Sequence, residues 1–339
     1  MKKTFIITMS FICAVLLFTG AAHAQDNQKL AQSGMKFMNA ILDARTASMG
    51  EAVTALDGNS AFLFSNPASV ARQENLFNGA AGSMTWIADI KYLYGAATIA
   101  PFGGDYGVIG VTALSVNYGD FIETIKGDNA DGFYELGTFR PYAFSFGLSY
   151  AKALNDKLSL GGSVKYARMS LGASVVAVDK NNSYTRQDNV RGVMAFDFGL
   201  LYRTGYKSLN FAMSVKNFSQ EIKFEKENFQ LPLTFRIGLA FNAVDLMENL
   251  DKDMHSFILS VDAVHYRDYP EQLSLGGEYT FMNTFSLRAG YNYPADERSY
   301  TVGVGVKRSY ENYGLGVDYA YTPFGIFDSV HRITLNFSL

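Results

Sequence analysis

Strict alternation of apolar and polar residues constrains this chain more than any other feature. At 285–293 (FSLRAGYNY), Phe285, Leu287, Ala289, Tyr291 and Tyr293 stand against Ser286, Arg288 and Asn292. At 300–307, Tyr300, Val302, Val304 and Val306 stand against Thr301, Gly303, Gly305 and Lys307. LSLGGEYTF (273–281) and YGLGVDYAY (313–321) keep the same period, and HRITLNFSL (331–339) shows it most cleanly. Successive side chains of a strand point to opposite faces, so each run has one greasy and one polar face. Many such runs separated by turn residues are the mark of a transmembrane barrel.

From residue 75 onward the pattern predicts an all-β fold of fourteen strands. The runs are 75–86, 91–102, 106–119, 139–154, 158–173, 193–205, 209–219, 231–244, 255–268, 271–282, 285–294, 300–308, 312–322 and 331–339. An even number suits a single-chain antiparallel barrel. The longest linkers, GDFIETIKGDNADGFYELG, SVVAVDKNNSYTRQDNV and QEIKFEKENFQ, follow the third, fifth and seventh runs. Odd-numbered linkers emerge at one end, giving the long-outside, short-inside asymmetry of outer-membrane barrels. A secreted β-sandwich, the alternative, has no reason for that parity. DLMENLDKD at 245–253 departs from the rule and is expected to form a short periplasmic helix. The outward faces are expected to meet the lipid bilayer, and the last strand to close on the first so that no edge remains. A closing strand of this kind resembles those read by the barrel-insertion machinery of the outer membrane. Here Leu339 is terminal and the aromatic Phe337 stands two residues back.

The first residues carry export information. Lys2 and Lys3 precede an apolar run from Phe5 to Phe18 and the small-residue site Ala22-His23-Ala24. This reads as a signal peptide over 1–24, too short for a comfortable spanning helix. Together with the barrel pattern it leads to an expected location in the outer membrane of a Gram-negative bacterium. The single cysteine, Cys13, lies inside it, so the mature chain is expected to have no disulfide and no thiolate metal site. Without the two signal lysines, 27 basic residues face 32 acidic ones, a balance that argues against nucleic acid as a partner.

No constellation points to catalysis or a cofactor. His255, His265 and His331 are isolated, with no metal-ligand spacing and no visible partner for a hydrolase triad. The glycine-rich stretches at 107–119 and 314–327 precede no helix that would present phosphate. On the polar strand faces stand Lys165, Asp197, Lys216, Arg236, Asp262, Glu278, Arg288, Lys307, Asp318 and Arg332. Mixed signs favour a pairing network in the lumen over an ion path, which would want one dominant sign.

Residues 25–74 differ in kind and are expected to form an N-terminal plug ahead of a barrel at 75–339. Met35, Phe37, Met38, Phe62, Leu63 and Phe64 would be poorly solvated in a disordered lead, the alternative reading. Within SNPASVAR, Asn66 reads as a helix cap and Pro67 as the first helical position. Phe62, Leu63 and Phe64 beside this turn are candidates to line an apolar pocket.

The stretch ARTASMGEAVTALDGNSAFLFSNPASVAR (44–72) resembles the N-terminal signature of the PorV/PorQ family. The segments MTWIADIKYLYGAATIAPFGG, LPLTFRIGLAF and YAYTPFGIFDSVHRITLNFSL look like the same family, so the resemblance spans nearly the whole mature chain. That family is in turn similar to FadL-type long-chain fatty-acid transporters, fourteen-stranded barrels with an N-terminal hatch. The resemblance implies that Asn66, Pro67 and Ala68 form the hatch turn, led by Arg45, Met49 and Gly50. It implies a non-enzymatic barrel that binds secreted proteins or components of type IX secretion. The alternative it implies is passive passage of a hydrophobic ligand.

Overall fold

Val108–Asn117 (VIGVTALSVN) shows how the sequence makes a wall: its side chains are alternately buried and exposed along the whole strand. Val108, Gly110, Thr112, Leu114 and Val116 point inward, while Ile109, Val111 and Ala113 point out. In the computed structural model, which describes residues 33–178, 183–224, 227–247, 250–295, 298–311 and 313–339, this pattern recurs around a closed barrel. The expected signal peptide at 1–24 lies outside the described residues.

In chain order the strands begin with β1 (Phe77–Thr85), β2 (Lys91–Ile99), β3 (Val108–Asn117), β4 (Phe121–Lys126), β5 (Phe133–Phe139) and β6 (Tyr142–Ala153). They continue with β7 (Leu158–Val178), β8 (Tyr184–Arg203), β9 (Asn210–Phe218), β10 (Ile222–Phe224), β11 (Glu227–Phe229) and β12 (Thr234–Asn242). The last six are β13 (His255–Tyr266), β14 (Gln272–Phe281), β15 (Phe285–Tyr293), β16 (Tyr300–Ser309), β17 (Gly314–Phe324) and β18 (Phe327–Ser338). Fourteen of them form the barrel, each hydrogen-bonded antiparallel to its neighbours, and β18 closes on β1 from Asn78↔Ser338 to Thr85↔His331. The pairs β4–β5 and β10–β11 are separate two-stranded ribbons within linkers that the sequence pattern leaves unstructured.

The expected linker at 174–190 is largely strand, because β7 and β8 continue far past their neighbours. Register shifts between Ser170 and Ala173 and between Val175 and Ala177 interrupt the alternation there. Bulges of this kind break the period by which a strand is recognised. At 243–246 the chain makes a 3-10 turn capped by Asn242, whose side chain accepts from the Val244 amide at 3.2 Å. It begins two residues before the expected helix, and Glu248 and Asn249 lie outside the described residues.

Outward positions such as Leu93, Leu287 and Leu335 are 63%, 61% and 55% exposed, as a lipid-facing surface requires. Leu275→Arg should therefore impair insertion, since arginine on the lipid face near the midplane costs roughly 2–4 kcal/mol. Ser274 faces inward, is buried, and donates to Asn292 Oδ1 at 2.7 Å. A merely polar interior would accept arginine there; this packed one is expected to reject it by overpacking. Membrane-fraction abundance should fall for Leu275→Arg. Ser274→Arg should insert but become sensitive to protease in its interior segment, and wild-type resistance would contradict this.

Candidate functional site

The barrel interior is occupied by the protein's own residues 33–73. Gly34 donates its amide to Gln230 O (3.0 Å) at the end that carries the β4–β5 and β10–β11 ribbons. Arg72 donates to the carbonyl of Asn155, in the β6–β7 turn at the opposite end. The segment thus runs the length of the lumen. Its one α-helical turn, α1 (Ala44–Ser48), starts where Asp43 accepts from the Thr46 amide at 2.9 Å, the usual way to satisfy an orphan donor. Ala44, Ala47 and Ser48 are buried, and small side chains here let the turn lie close against β16 and β17.

Two charge clusters tie this segment to the wall, and a third lies within the wall beside it. Arg45 grips Glu278 with Nε at 2.8 Å and a terminal nitrogen at 2.7 Å. Glu278 also accepts from Arg288, which donates onward to Asp318 Oδ1 at 2.6 Å. Asp318 accepts from Asn336 (2.7 Å), and Asn336 from Asn59 (2.6 Å), so the chain of bonds returns to the inner segment. In the second cluster Glu51 accepts from Arg236 (2.6 Å), Arg298 (2.8 Å) and the Tyr266 hydroxyl (3.0 Å). In the third, Lys165 meets Asp197 at 2.7 Å. Asp262 instead accepts from the Thr54 hydroxyl at 2.6 Å, and Arg332 donates to the Ile41 carbonyl at 2.8 Å. Most of these carboxylates and guanidinium groups have several partners, which a buried charge needs to offset its desolvation.

The Asn66-Pro67-Ala68 turn is built as a cap and a wall contact at once. The Asn66 side chain accepts from the Ala68 amide (3.0 Å) and donates to Thr54 O (2.8 Å). It sits so close to β8 that a Cβ at Gly199 would lie 1.9 Å from Asn66 Oδ1. Met49 and Gly50 press on β15 in the same way: a Cβ at Gly290 would lie 1.9 Å from the Gly50 nitrogen. Gly50 itself has φ +60°, a conformation glycine adopts without a steric penalty.

Leu63 and Phe64 border the same small cavity beside Lys216, while Phe62 turns elsewhere. Phe62 is fully buried beneath the Arg45 guanidinium (5.2 Å), Leu63 packs with Val70, Val108 and Ala151, and Phe64 meets Tyr94 edge-on at 5.6 Å. Among the ten charged strand positions, Lys307 stands apart. It is exposed where β16 runs out of the lumen, and it makes no ion pair among the described residues. Periodicity did not reveal Glu51, Asn59, Thr54 or Arg298 as partners of the lumen charges, because none of them lies in a strand and no local spacing marks them.

At the opposite pole from the Arg72 contact, the ribbons form one connected surface. Arg186, on the extended β7–β8 hairpin, pairs with Glu123 of β4 at 3.0 Å. Arg191 donates to Lys223 O (3.1 Å) and lies over the Phe224 ring of β10 at 5.0 Å. Asp120 and Arg140 clamp the base of the β4–β5 ribbon at 2.8 Å, and this hydrogen bond holds the Asp120 carboxyl below the usual range.

The fold has solved counterparts. The Ralstonia pickettii toluene transporter TbuX superposes with a TM-score of 0.56 at 11% identity, covering 87% of this chain and 97% of that one. The Pseudomonas putida toluene transporter TodX gives 0.56 at 13%, covering 92% and 98%. A Pseudomonas aeruginosa FadL homologue gives 0.50 at 12%, covering 87% and 97%. At such identities the likeness concerns the fold alone. No curated protein sequence matches significantly. The family model of the type IX secretion system membrane protein PorP/SprF matches residues 134–337, more than half of the chain. This is the type IX secretion setting that the PorV/PorQ resemblance implies, reached through a different family. With its fourteen strands closed into a lipid-facing barrel and that match running from β5 into β18, the chain belongs to the PorP/SprF family of type IX secretion outer-membrane barrels.

Proposed function

We propose that the protein works by binding other proteins, secreted cargo or secretion components, at the ribbon-bearing end, with that end facing outside the cell. The observation that carries this reading is the contrast between a filled lumen and an elaborated rim. Residues 33–73 occupy the interior as a plug, and a cavity left between them and the wall, bordered by Met38, Phe64 and Lys216, holds only about 20 Å³. That space holds about one water molecule, so passage of a hydrophobic molecule there would require the inner segment to move aside. The joined ribbons instead offer a polar surface of both signs, including Asp120, Glu123, Lys126, Asp128, Arg186 and Asp188, on which charge complementarity can select a partner. Asp179, Lys180, Glu225 and Lys226, which belong to the same linkers, lie outside the described residues. Cargo handling of the PorV/PorQ kind fits this rim.

Replacing residues 122–138 with a short glycine-serine linker tests the reading. Co-purification of secreted proteins or secretion components from detergent-solubilised outer membrane should be lost, while heat-modifiable barrel mobility on gels stays unchanged. Retention of every partner by this variant, together with fatty acid or aromatic hydrocarbon bound to the native protein, would favour transport.

A further inference from the structure

Where β8 and β9 meet, the pairing slips. Phe196 faces Phe218 and Phe198 faces Val215, so Lys216 and Asn217 together oppose Asp197. A bulge puts successive side chains on one face, and both Lys216 and Asn217 are buried. Asn217 takes φ +61°, a conformation asparagine tolerates better than most residues. It engages the groups around it. Its amide donates to Asp197 Oδ1 (2.8 Å), its Oδ1 accepts from Lys165 (2.8 Å), and its Nδ2 donates to Asn39 (2.8 Å) and Pro232 O (3.1 Å). Lys165 takes the other oxygen of Asp197 at 2.7 Å.

Lys216 is left over. It is 7% exposed, and its ammonium has no hydrogen bond or ion pair among the described residues. Asp197 is committed to Lys165 and Asn217, and Glu51 to Arg236, Arg298 and Tyr266. Lys165 and Arg236 add their like charges to its surroundings. The side chain lines a largely enclosed cavity of about 20 Å³, shared with Lys165, Asp197, Ser163 and Thr112 and walled by Phe64 and other apolar groups. That space suits one occupant of the size of a water molecule. With both lysines protonated, two ammonium groups stand against one carboxylate in the lining, an excess positive charge. The Ser163 hydroxyl can turn its proton to the cavity, because its bond to Ser149 Oγ (2.7 Å) can be donated from either side.

We infer that this cavity is a binding site for a single small monovalent anion of the halide class, held by the Lys216 ammonium with the Ser163 and Thr112 hydroxyls. The anion supplies the negative charge that the wall does not. Because Met38, Leu42 and Phe64 close the same cavity, it also fastens the inner segment to β3, β7, β8 and β9. The site is too small for a fatty-acid tail or an aromatic ring, so it is independent of any transport reading.

Crystals of the full-length mature protein grown in sodium bromide provide the test. An anomalous bromine peak beside Lys216 Nζ is expected, absent in Lys216→Met. The wild-type protein in detergent should also unfold at a higher temperature in sodium bromide than in sodium gluconate of equal ionic strength. This comparison needs no variant, so a failure of Lys216→Met to fold leaves the proposal testable. Non-anomalous density in the wild-type cavity would mean water, and no peak would mean an uncharged lysine. Either result overturns the assignment, as does equal stability in the two salts.

Discussion

Glu278→Ala is expected to loosen the inner segment from the wall without opening the barrel. Glu278 is the only carboxylate that bonds both Arg45 and Arg288 among the described residues. Its loss leaves Arg45 without an ion-pair partner and Arg288 with Asp318 alone, both largely out of water. Removing one partner from such a buried set costs about 3–5 kcal/mol. The loss should be local, because the fourteen-strand ladder does not depend on it. Hydrogen exchange read by mass spectrometry should rise over residues 43–51 and stay unchanged in β14 and β15. Asp57→Ala is the control: its pair with Arg203 is roughly two-fifths exposed on both sides, where a pair is worth about 1 kcal/mol or less. Equal exchange in the two variants would show that the cluster does not hold the segment.

Gly290→Ala is expected to push the same segment away by a different route. The added methyl would lie 1.9 Å from the Gly50 nitrogen and 2.4 Å from the Met49 carbonyl carbon, both backbone atoms that no rotamer change can clear. Overpacking of this kind costs typically about 1–3 kcal/mol. Gly277, on the neighbouring strand, faces lipid, and a methyl there would meet nothing closer than 3.8 Å. Gly277→Ala should therefore behave as wild type in heat-modifiability and protease resistance, while Gly290→Ala exposes residues near Gly50 to cleavage. If the two variants behaved alike, the contact would have no energetic weight.

The ribbons and the long hairpin leave the wall at β3, β7, β8 and β9, strands that share a cavity with Met38, Leu42 and Phe64 of the inner segment.

The barrel was legible because lipid on one side and packed interior on the other impose a period of two on every strand. Where that period slips, the sequence also carries the reason. In NFAMSVKNF, residues 210–218, polar Asn217 falls on the lipid face unless a bulge intervenes, and the bulge is there. The ends of β7 and β8 were not legible, since two register shifts scramble the alternation just where the hairpin leaves the wall. Likewise, inward parity pointed to Lys307, but β16 outlasts the lumen there and the side chain meets solvent.

The sequence by itself determined the wall: fourteen alternating strands, their odd and even connections, and which face of each meets lipid. Each of these depends on neighbours a few residues apart. Only the tertiary structure decided what the inner faces hold. Glu51 finds Arg236 across 185 residues and Arg298 across 247, Asn66 rests on Gly199, and Lys216 is left without an ion pair among the described residues. Such pairings follow from how barrel closure and the threading of residues 33–73 bring distant side chains into one dry space, and no local periodicity encodes them.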